Sequence, residues 1–203
     1  MKKAISDFLR HPLVVTIIGT SLFSLAGICL TDCYQRKAWE RERSHALFVE
    51  KLNGGLVLID ELSEFISKRF FGLVRVNNVL KNSDTVGLNE VWPEYYDSVV
   101  EWNTKAMQYR GRLARYINSI CADSFLNNPD AVNTYEGGQP NTIHGHFLRT
   151  HSIAKNFRDC LNKECSNEAK KAYTENLRSS LDKLGIEIEK FISDCTNEVY
   201  NSK

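Results

Sequence analysis

The chain has 203 residues, of which 42% are apolar and 25% charged, and its formal net charge is +1. This length and composition indicate one compact domain with a short additional segment. Three basic residues and one acidic residue precede residue 31, so the remainder holds 23 basic and 24 acidic residues. A nearly neutral remainder excludes general electrostatic attraction to nucleic acid.

An uncharged apolar segment, residues 13–30, lies near the N-terminus and reads LVVTIIGTSLFSLAGICL. Eighteen helical residues span ~27 Å, which is enough for the hydrocarbon core of a bilayer. Pro12 suits the start of a helix, and basic residues flank both ends of the segment. The sequence therefore predicts a transmembrane helix within residues 1–31, followed by a charged connector over residues 32–44.

The same segment has two other interpretations. A secretory signal could be cleaved after the small residues around Ser24 and Ala26, but the apolar run continues to Leu30. A lipoprotein signal would need a small residue before Cys29, where the chain has Ile28. A buried core helix is the second interpretation, and an uncharged run of this length disfavours it.

Small residues recur along the segment at helical spacing and predict a contact face between membrane helices. Small side chains let two helix backbones approach closely, which is the usual route to association in lipid. The alternative is that Gly, Ser and Thr are simply common in membrane helices. The predicted homo-oligomer interface consists of Thr16, Gly19, Thr20, Ser24 and Gly27.

The orientation of the helix rests on a small difference in charge. Three Lys or Arg residues precede the segment and four follow it by Arg43. Because positive charge marks the cytoplasmic side, this difference predicts a single-pass inner-membrane protein with its main domain in the cytoplasm. The four later cysteines leave both sides open, since they could form two disulfides outside or stay reduced inside. They are Cys121, Cys160, Cys165 and Cys195.

Residues 11–45 carry a recognisable pattern: His11-Pro12, an apolar helix with two glycines, Leu30-Thr31, and then the run YQRKAWER from Tyr34. This pattern resembles the N-terminus of uncharacterised bacterial single-span membrane proteins that have a helical domain after the span. The resemblance covers about a sixth of the chain. It implies a bacterial or phage-related origin and assigns no active residues.

Residues 45–203 show helical periodicity almost throughout. Apolar stripes with steps of three or four predict four helices, over about residues 45–80, 89–120, 142–162 and 167–200. Residues 81–88 predict a turn, with Pro93 in the first turn of the second helix, and residues 127–141 predict a long loop. The predicted fold is all-α, with an N-terminal transmembrane helix followed by an antiparallel four-helix bundle.

Two clusters could bind a ligand. His144, His146 and His151 allow a metal site, but without an HExxH motif they are better interpreted as exposed histidines, and we predict no metal. The second cluster is a basic patch that could receive a phosphate group, although such runs are usually solvated and paired with carboxylates. It consists of Lys105, Arg110, Arg112 and Arg115, of which Arg110 points away from the others.

The sequence lacks the motifs of several enzyme classes. It has no phosphate-binding loop, no dinucleotide fingerprint and no GxSxG, and no Arg is followed by His at the spacing of HEPN ribonucleases. We therefore predict no catalytic residues, no cofactor and no enzymatic activity.

These observations favour a membrane-anchored, self-associating helical-bundle interaction protein, with lipid, a second copy and a protein partner as its contacts. Within that class we favour an accessory of bacterial anti-phage defence or a membrane effector that forms an oligomeric pore, by analogy of architecture. The alternative is a structural or scaffold protein of the envelope with an external, disulfide-bonded domain. A third hypothesis is a helical hydrolase or nuclease that uses the three histidines.

Overall fold

The computed structural model describes residues 12–126, 141–163 and 165–201, except for the side chains of residues 13–15, 17–19, 22 and 26. This part of the chain forms helices and contains no strand, so the all-α prediction is confirmed. In chain order the helices are α1 (Pro12–Lys81), α2 (Thr85–Tyr116), α3 (Ser119–Phe125), α4 (Ile143–Asn162) and α5 (Asn167–Asn201).

The chain divides into two compact units, Met1–Val49 and Glu50–Lys203. Within the described residues, no helix combines the length and the apolar character that crossing a membrane requires. The transmembrane helix therefore remains a prediction.

The second unit is a bundle in which neighbouring long helices run antiparallel. Where α1 and α2 touch, residue numbers rise along one helix as they fall along the other. Lys68 contacts Glu101 at 2.6 Å, and Arg75 contacts Glu94 at 2.7 Å. The same reversal relates α4 to α5, where the ring of Phe157 stacks on that of Tyr173. The antiparallel bundle predicted from the apolar stripes is confirmed.

One continuous apolar core fills this bundle, and every long helix contributes to it. Its largest fully buried apolar side chains are Trp102, Tyr95, Phe125, Phe147 and Phe157. Aromatic residues bury large areas, so these five contribute much of the hydrophobic stabilisation.

The turn between α1 and α2 is shorter than the predicted turn over residues 81–88. Asp84 caps α2 by accepting a hydrogen bond from the Gly87 amide at 2.9 Å, and Ser83 takes a left-handed conformation at φ 53°. Because this cap starts α2 at Thr85, Pro93 lies inside the helix instead of in its first turn. The predicted start at residue 89 is wrong because Asp84 and Gly87 form a cap and not a loop.

The second predicted helix is also interrupted. It ends at Tyr116, and Asn118 begins α3 by accepting a hydrogen bond from the Cys121 amide at 2.8 Å. The apolar stripe continued through this point, but an Asn side chain in extended backbone is a strong helix start. The third and fourth predicted helices agree with α4 and α5 to within a residue.

Two consecutive glycines allow close packing near the start of the bundle. A Cβ added to Gly54 would lie 2.7 Å from the ring of Tyr116, and one added to Gly55 would lie 2.9 Å from Val199. The sequence indicated only that these glycines weaken the helix. Their absent side chains are what lets α2 and α5 approach α1.

The four later cysteines form two disulfides. Cys121 of α3 bonds to Cys195 of α5, with Cα atoms 5.7 Å apart, and Cys160 bonds to Cys165 across the α4–α5 turn, with Cα atoms 5.3 Å apart. Both separations are ordinary for protein disulfides. Cys29 and Cys33 of α1 are free and exposed.

Candidate functional site: a buried arginine among aromatic and histidine side chains

Arg69 lies in the middle of the bundle and is only 1% exposed. Its position follows from the register of α1, where Leu62, Ile66, Leu73 and Val76 are all buried. These positions and Arg69 are separated by four, three, four and three residues, which is one helix face. The sequence analysis did not identify Arg69, and this interruption of a regular apolar series was the signal that could have found it.

Aromatic rings surround the guanidinium of Arg69. Its central carbon lies 4.8 Å from the ring centroid of Trp102 and 4.6 Å from that of Phe147. Phe65 stacks on the other side of Trp102, with centroids 4.9 Å apart. Cation–π contacts of a desolvated arginine are worth about 2 kcal/mol. They offset part of the cost of burying the charge.

The polar edge of Arg69 is not matched by a hydrogen bond. Among the described residues, Nε, Nη1 and Nη2 have no partner with hydrogen-bond geometry. Burial lowers the pKa of Arg69 to about 10, and the Tyr95 hydroxyl partly opposes that shift, because it lies close enough to the guanidinium to attract it although it misses the geometry of a full hydrogen bond. Arg69 therefore keeps its positive charge at neutral pH, without a carboxylate in hydrogen-bond contact.

Two histidines of α4 complete the cluster. Trp102 Nε1 donates to His144 Nδ1 at 2.8 Å, and the Tyr95 hydroxyl lies 2.7 Å from His151 Nδ1. An indole nitrogen is only a donor, so Nδ1 of His144 is unprotonated and the proton is assigned to Nε2. Either atom of the Tyr95–His151 contact can donate; because burial raises the pKa of Tyr95 and its hydroxyl keeps its proton, we assign Tyr95 as the donor and the proton of His151 to Nε2.

Both histidines are neutral at pH 7. Burial and, second to it, the positive charge of Arg69 lower the pKa of His144 to about 4. Burial, Arg69, Lys155 and Arg158 together lower the pKa of His151 to about 4. With both Nδ1 atoms accepting hydrogen bonds, the cluster presents N–H groups of Arg69, His144 and His151. It is rich in donors, and it has no base with a pKa near neutrality.

The prediction of three exposed histidines is wrong. His146 is buried, His144 and His151 are half-buried, and all three have lowered pKa values with burial as the largest cause. The reason is that α4 packs on both α2 and α5, which leaves only a narrow face outside. The described residues contain no group of three or more side chains arranged to hold a metal ion.

The four members of the predicted basic patch have separate partners. Lys105 bonds to Glu101 at 2.7 Å and Arg112 pairs with Glu61, whereas Arg110 reaches Asp123 of α3 at 2.7 Å. The remaining member lies over an aromatic ring, with the Arg115 guanidinium carbon 5.3 Å from the Tyr116 centroid. Three of the four cations are thus paired with carboxylates, while a ligand for the patch stays a prediction.

The predicted oligomer interface lies in the first unit. Thr16 and Thr20 donate their hydroxyls to backbone oxygens four residues earlier, at 2.8 and 2.9 Å. Ser24 and Gly27 are exposed, and nothing lies within 4 Å of a Cβ added to Gly27. The surroundings of Gly19 lie outside what the structure describes.

Comparison of the chain with protein-family models, with curated proteins and with solved structures finds no match in any of the three.

Proposed function

We propose that this protein is a membrane-anchored, self-associating helical-bundle interaction protein. The observation that carries the proposal is a row of large apolar side chains along the N-terminal part of α1 that are exposed on more than one side of the helix. Phe23 is 83% exposed, and Leu25, Ile28 and Leu30 are each more than half exposed. Contiguous exposed apolar surface on a helix marks contact with lipid or with another chain.

The residues around this row support lipid as the contact. The segment over residues 13–30 carries no charge, while Asp32 and Arg36 form an exposed ion pair at 3.3 Å just beyond it. Exposed Tyr34 and Trp39 follow. Aromatic residues next to an apolar helix are typical of the interface between hydrocarbon and water.

Self-association is the second part of the proposal. The small residues Thr20, Ser24, Gly27 and Thr31 are separated by four, three and four residues and therefore share one face. Thr20 and Thr31 donate their hydroxyls back to the helix, which removes donors that would otherwise face lipid. A second copy packed here would gain dispersion contacts, which drive association where no hydrophobic effect acts between helices.

Substitution of Ser24 tests this interface. Ser24→Leu should lower the oligomer order of the full chain in detergent, measured by light scattering, because the larger side chain separates the backbones. Cys29→Leu is the matched control, since Cys29 is exposed and lies five residues from Ser24, on the opposite side of the helix. An unchanged oligomer in both variants would mean that assembly arises elsewhere.

Within this class we favour an accessory of anti-phage defence or a membrane effector that acts as an oligomeric pore. A single span cannot conduct ions alone, because its outer surface must be apolar, so a pore requires several copies. Overexpression of the wild-type chain should then depolarise the membrane, and Ser24→Leu should prevent it. Unchanged membrane potential with the natural partners present would leave a passive anchor.

A second candidate function is a scaffold protein of the envelope with its bundle outside. The observation that favours it is the pairing of all four bundle cysteines, because disulfides persist in oxidising compartments. Alkylation of intact cells with an impermeant maleimide, before and after reduction, distinguishes the candidates. External, oxidised cysteines react only after reduction, whereas cytoplasmic thiols react only after lysis.

A further inference from the structure

We propose that Arg69, His144 and His151 form a binding site for an oxyanion, such as a phosphate or carboxylate group, inside the bundle. The inference deepens the proposed function, on which it rests, because it gives the bundle of an interaction protein a chemical class of ligand. It is carried by geometry: a buried cation whose three nitrogens lack a partner with hydrogen-bond geometry in the described part of the chain, with the Tyr95 hydroxyl as a close polar neighbour and two imidazoles of α4 beside it.

The energetics of Arg69 argue against a purely structural role. A buried charge lowers stability unless it is paired and hydrogen-bonded. Trp102 and Phe147 stabilise the faces of the guanidinium, but they leave the N–H groups at its edge unmatched. An apolar residue of similar volume would avoid this cost. A ligand that accepts hydrogen bonds from those N–H groups would remove this cost.

The surrounding donors specify the charge of the ligand. The guanidinium edge suits the two oxygens of a carboxylate or phosphate, which accept paired hydrogen bonds from arginine. The Nδ1 atoms of His144 and His151 are occupied by Trp102 and Tyr95, so each ring has Nε2–H left to donate. A cation would find no carboxylate in these contacts, whereas an anion would find three donor groups.

An anion would have to reach Arg69 from the side of His144 and His151. Arg69 is closed off, but His144 and His151 are half-buried, so the cluster extends from the interior to the surface on that side. An entering anion must pass the two imidazoles and rotate at least one of them. Rotation would break the hydrogen bond of His144 to Trp102 or that of His151 to Tyr95, so binding would change the packing of α4 on α2.

The test is thermal unfolding of the full chain, purified in detergent at pH 7.5, with chloride replaced by inorganic phosphate or acetate at constant ionic strength. A ligand that binds only the folded state raises the Tm in a saturable way. We expect a rise of about 5 °C at saturation with phosphate or with acetate, and which of the two acts identifies the oxyanion. Arg69→Met should abolish the rise, and His144→Gln should shift its midpoint at least about threefold.

Arg178→Met is the matched control, because it removes an exposed arginine of α5, and it should respond like the wild type. If Arg69→Met does not fold, Arg69→Lys replaces it, since lysine keeps the charge but loses the fork and should weaken binding. The proposal is overturned if neither anion raises the Tm, or if the Arg69 and Arg178 variants respond equally. Ser24→Leu should bind as the wild type does, which separates failure of this site from failure of membrane assembly.

Discussion

The cations at the interface between α1 and α2 have two kinds of surroundings. At the rim, Lys68, Arg75 and Arg112 each reach a carboxylate of the opposite helix and stay partly in water. In the interior, Arg69 has aromatic rings and neutral imidazoles around it and no carboxylate in hydrogen-bond contact. The same interface thus holds three cations paired with carboxylates and one buried cation, Arg69, without such a pair among the residues that the structure describes.

The ion pairs at the rim and the buried cluster around Arg69 differ in what they contribute to stability. Exposed ion pairs are screened by water and contribute roughly 0–1 kcal/mol each. The buried cluster combines large packing contributions with an unsatisfied charge, and such local inconsistency is expected at functional sites. Substitutions in the interior should therefore change the free energy of unfolding strongly and in a way that depends on pH. Substitutions at the rim should change it little.

The largest effect is expected from removal of Trp102, which is fully buried and contacts Phe65, Arg69 and Phe147. Trp102→Ala should reduce the free energy of unfolding by about 3–5 kcal/mol, as is usual for a buried aromatic residue. Chemical denaturation of the full chain in mild detergent measures it. Trp39→Ala is the control, because Trp39 is exposed on α1 and its removal should cost less than about 0.5 kcal/mol.

An intermediate effect is expected from acid. The pKa values of His144 and His151 are about 4 in the folded state, below the ordinary value of 6.5. The unfolded chain therefore binds more protons between pH 6.5 and 4, so stability is complete above that window and falls as the pH drops through it. Arg69, Lys155 and Arg158, which face these rings, all oppose a second positive charge.

The Tm measured from pH 7.5 to 5 should fall steadily, and His151→Gln should make the profile flatter while keeping an acceptor for Tyr95. Hydrogen bonds from Arg112 and Lys105 lower the pKa values of Glu61 and Glu101 respectively, so these two carboxylates stay ionised further into acid than usual. His45→Gln, at an exposed position of α1, should leave the slope unchanged. Equal slopes in all three proteins would show that the buried histidines do not control acid stability.

The smallest effect is expected at the rim. Glu61→Gln removes the charge that Arg112 pairs with, yet both side chains are at least a third exposed. The free energy of unfolding should fall by less than about 1 kcal/mol, and the loss should disappear in high salt. A loss of several kcal/mol at Glu61 would remove the distinction between rim and interior.

Much of the architecture could be predicted from the sequence. Apolar residues three and four apart identified the long helices, and the predicted starts at residues 142 and 167 agree with α4 and α5 to within a residue, because the caps Thr142 and Ser166 act locally. The start of α2 and the separate α3 were missed. Both boundaries are set by helix caps, at Asp84 and Asn118. In a continuing apolar stripe, such a polar residue is consistent with either a cap or a position that faces solvent.

The candidate site was not predictable from residue types alone. Arg69 occupies a core position of the stripe, but a charged residue there is ordinarily assigned to the surface. His144 and His151 looked exposed because nothing local indicates that α4 packs between α2 and α5. Burial of both histidines and of Arg69 depends on contacts between residues more than 40 positions apart, such as that of Trp102 with His144.

The placement of Trp102 also gives the molecule an intrinsic optical reporter. Of the three tryptophans, Trp39 is exposed, Trp92 is partly buried, and Trp102 is enclosed with its indole N–H bonded to His144. An indole in apolar surroundings emits at shorter wavelength than one in water, and a protonated imidazole quenches its emission. Rotation or protonation of His144 should therefore change the blue edge of the fluorescence spectrum, while the red edge from Trp39 provides an internal reference. A chain with Trp39 and Trp92 replaced by Phe would report the state of the buried cluster in a single emission band.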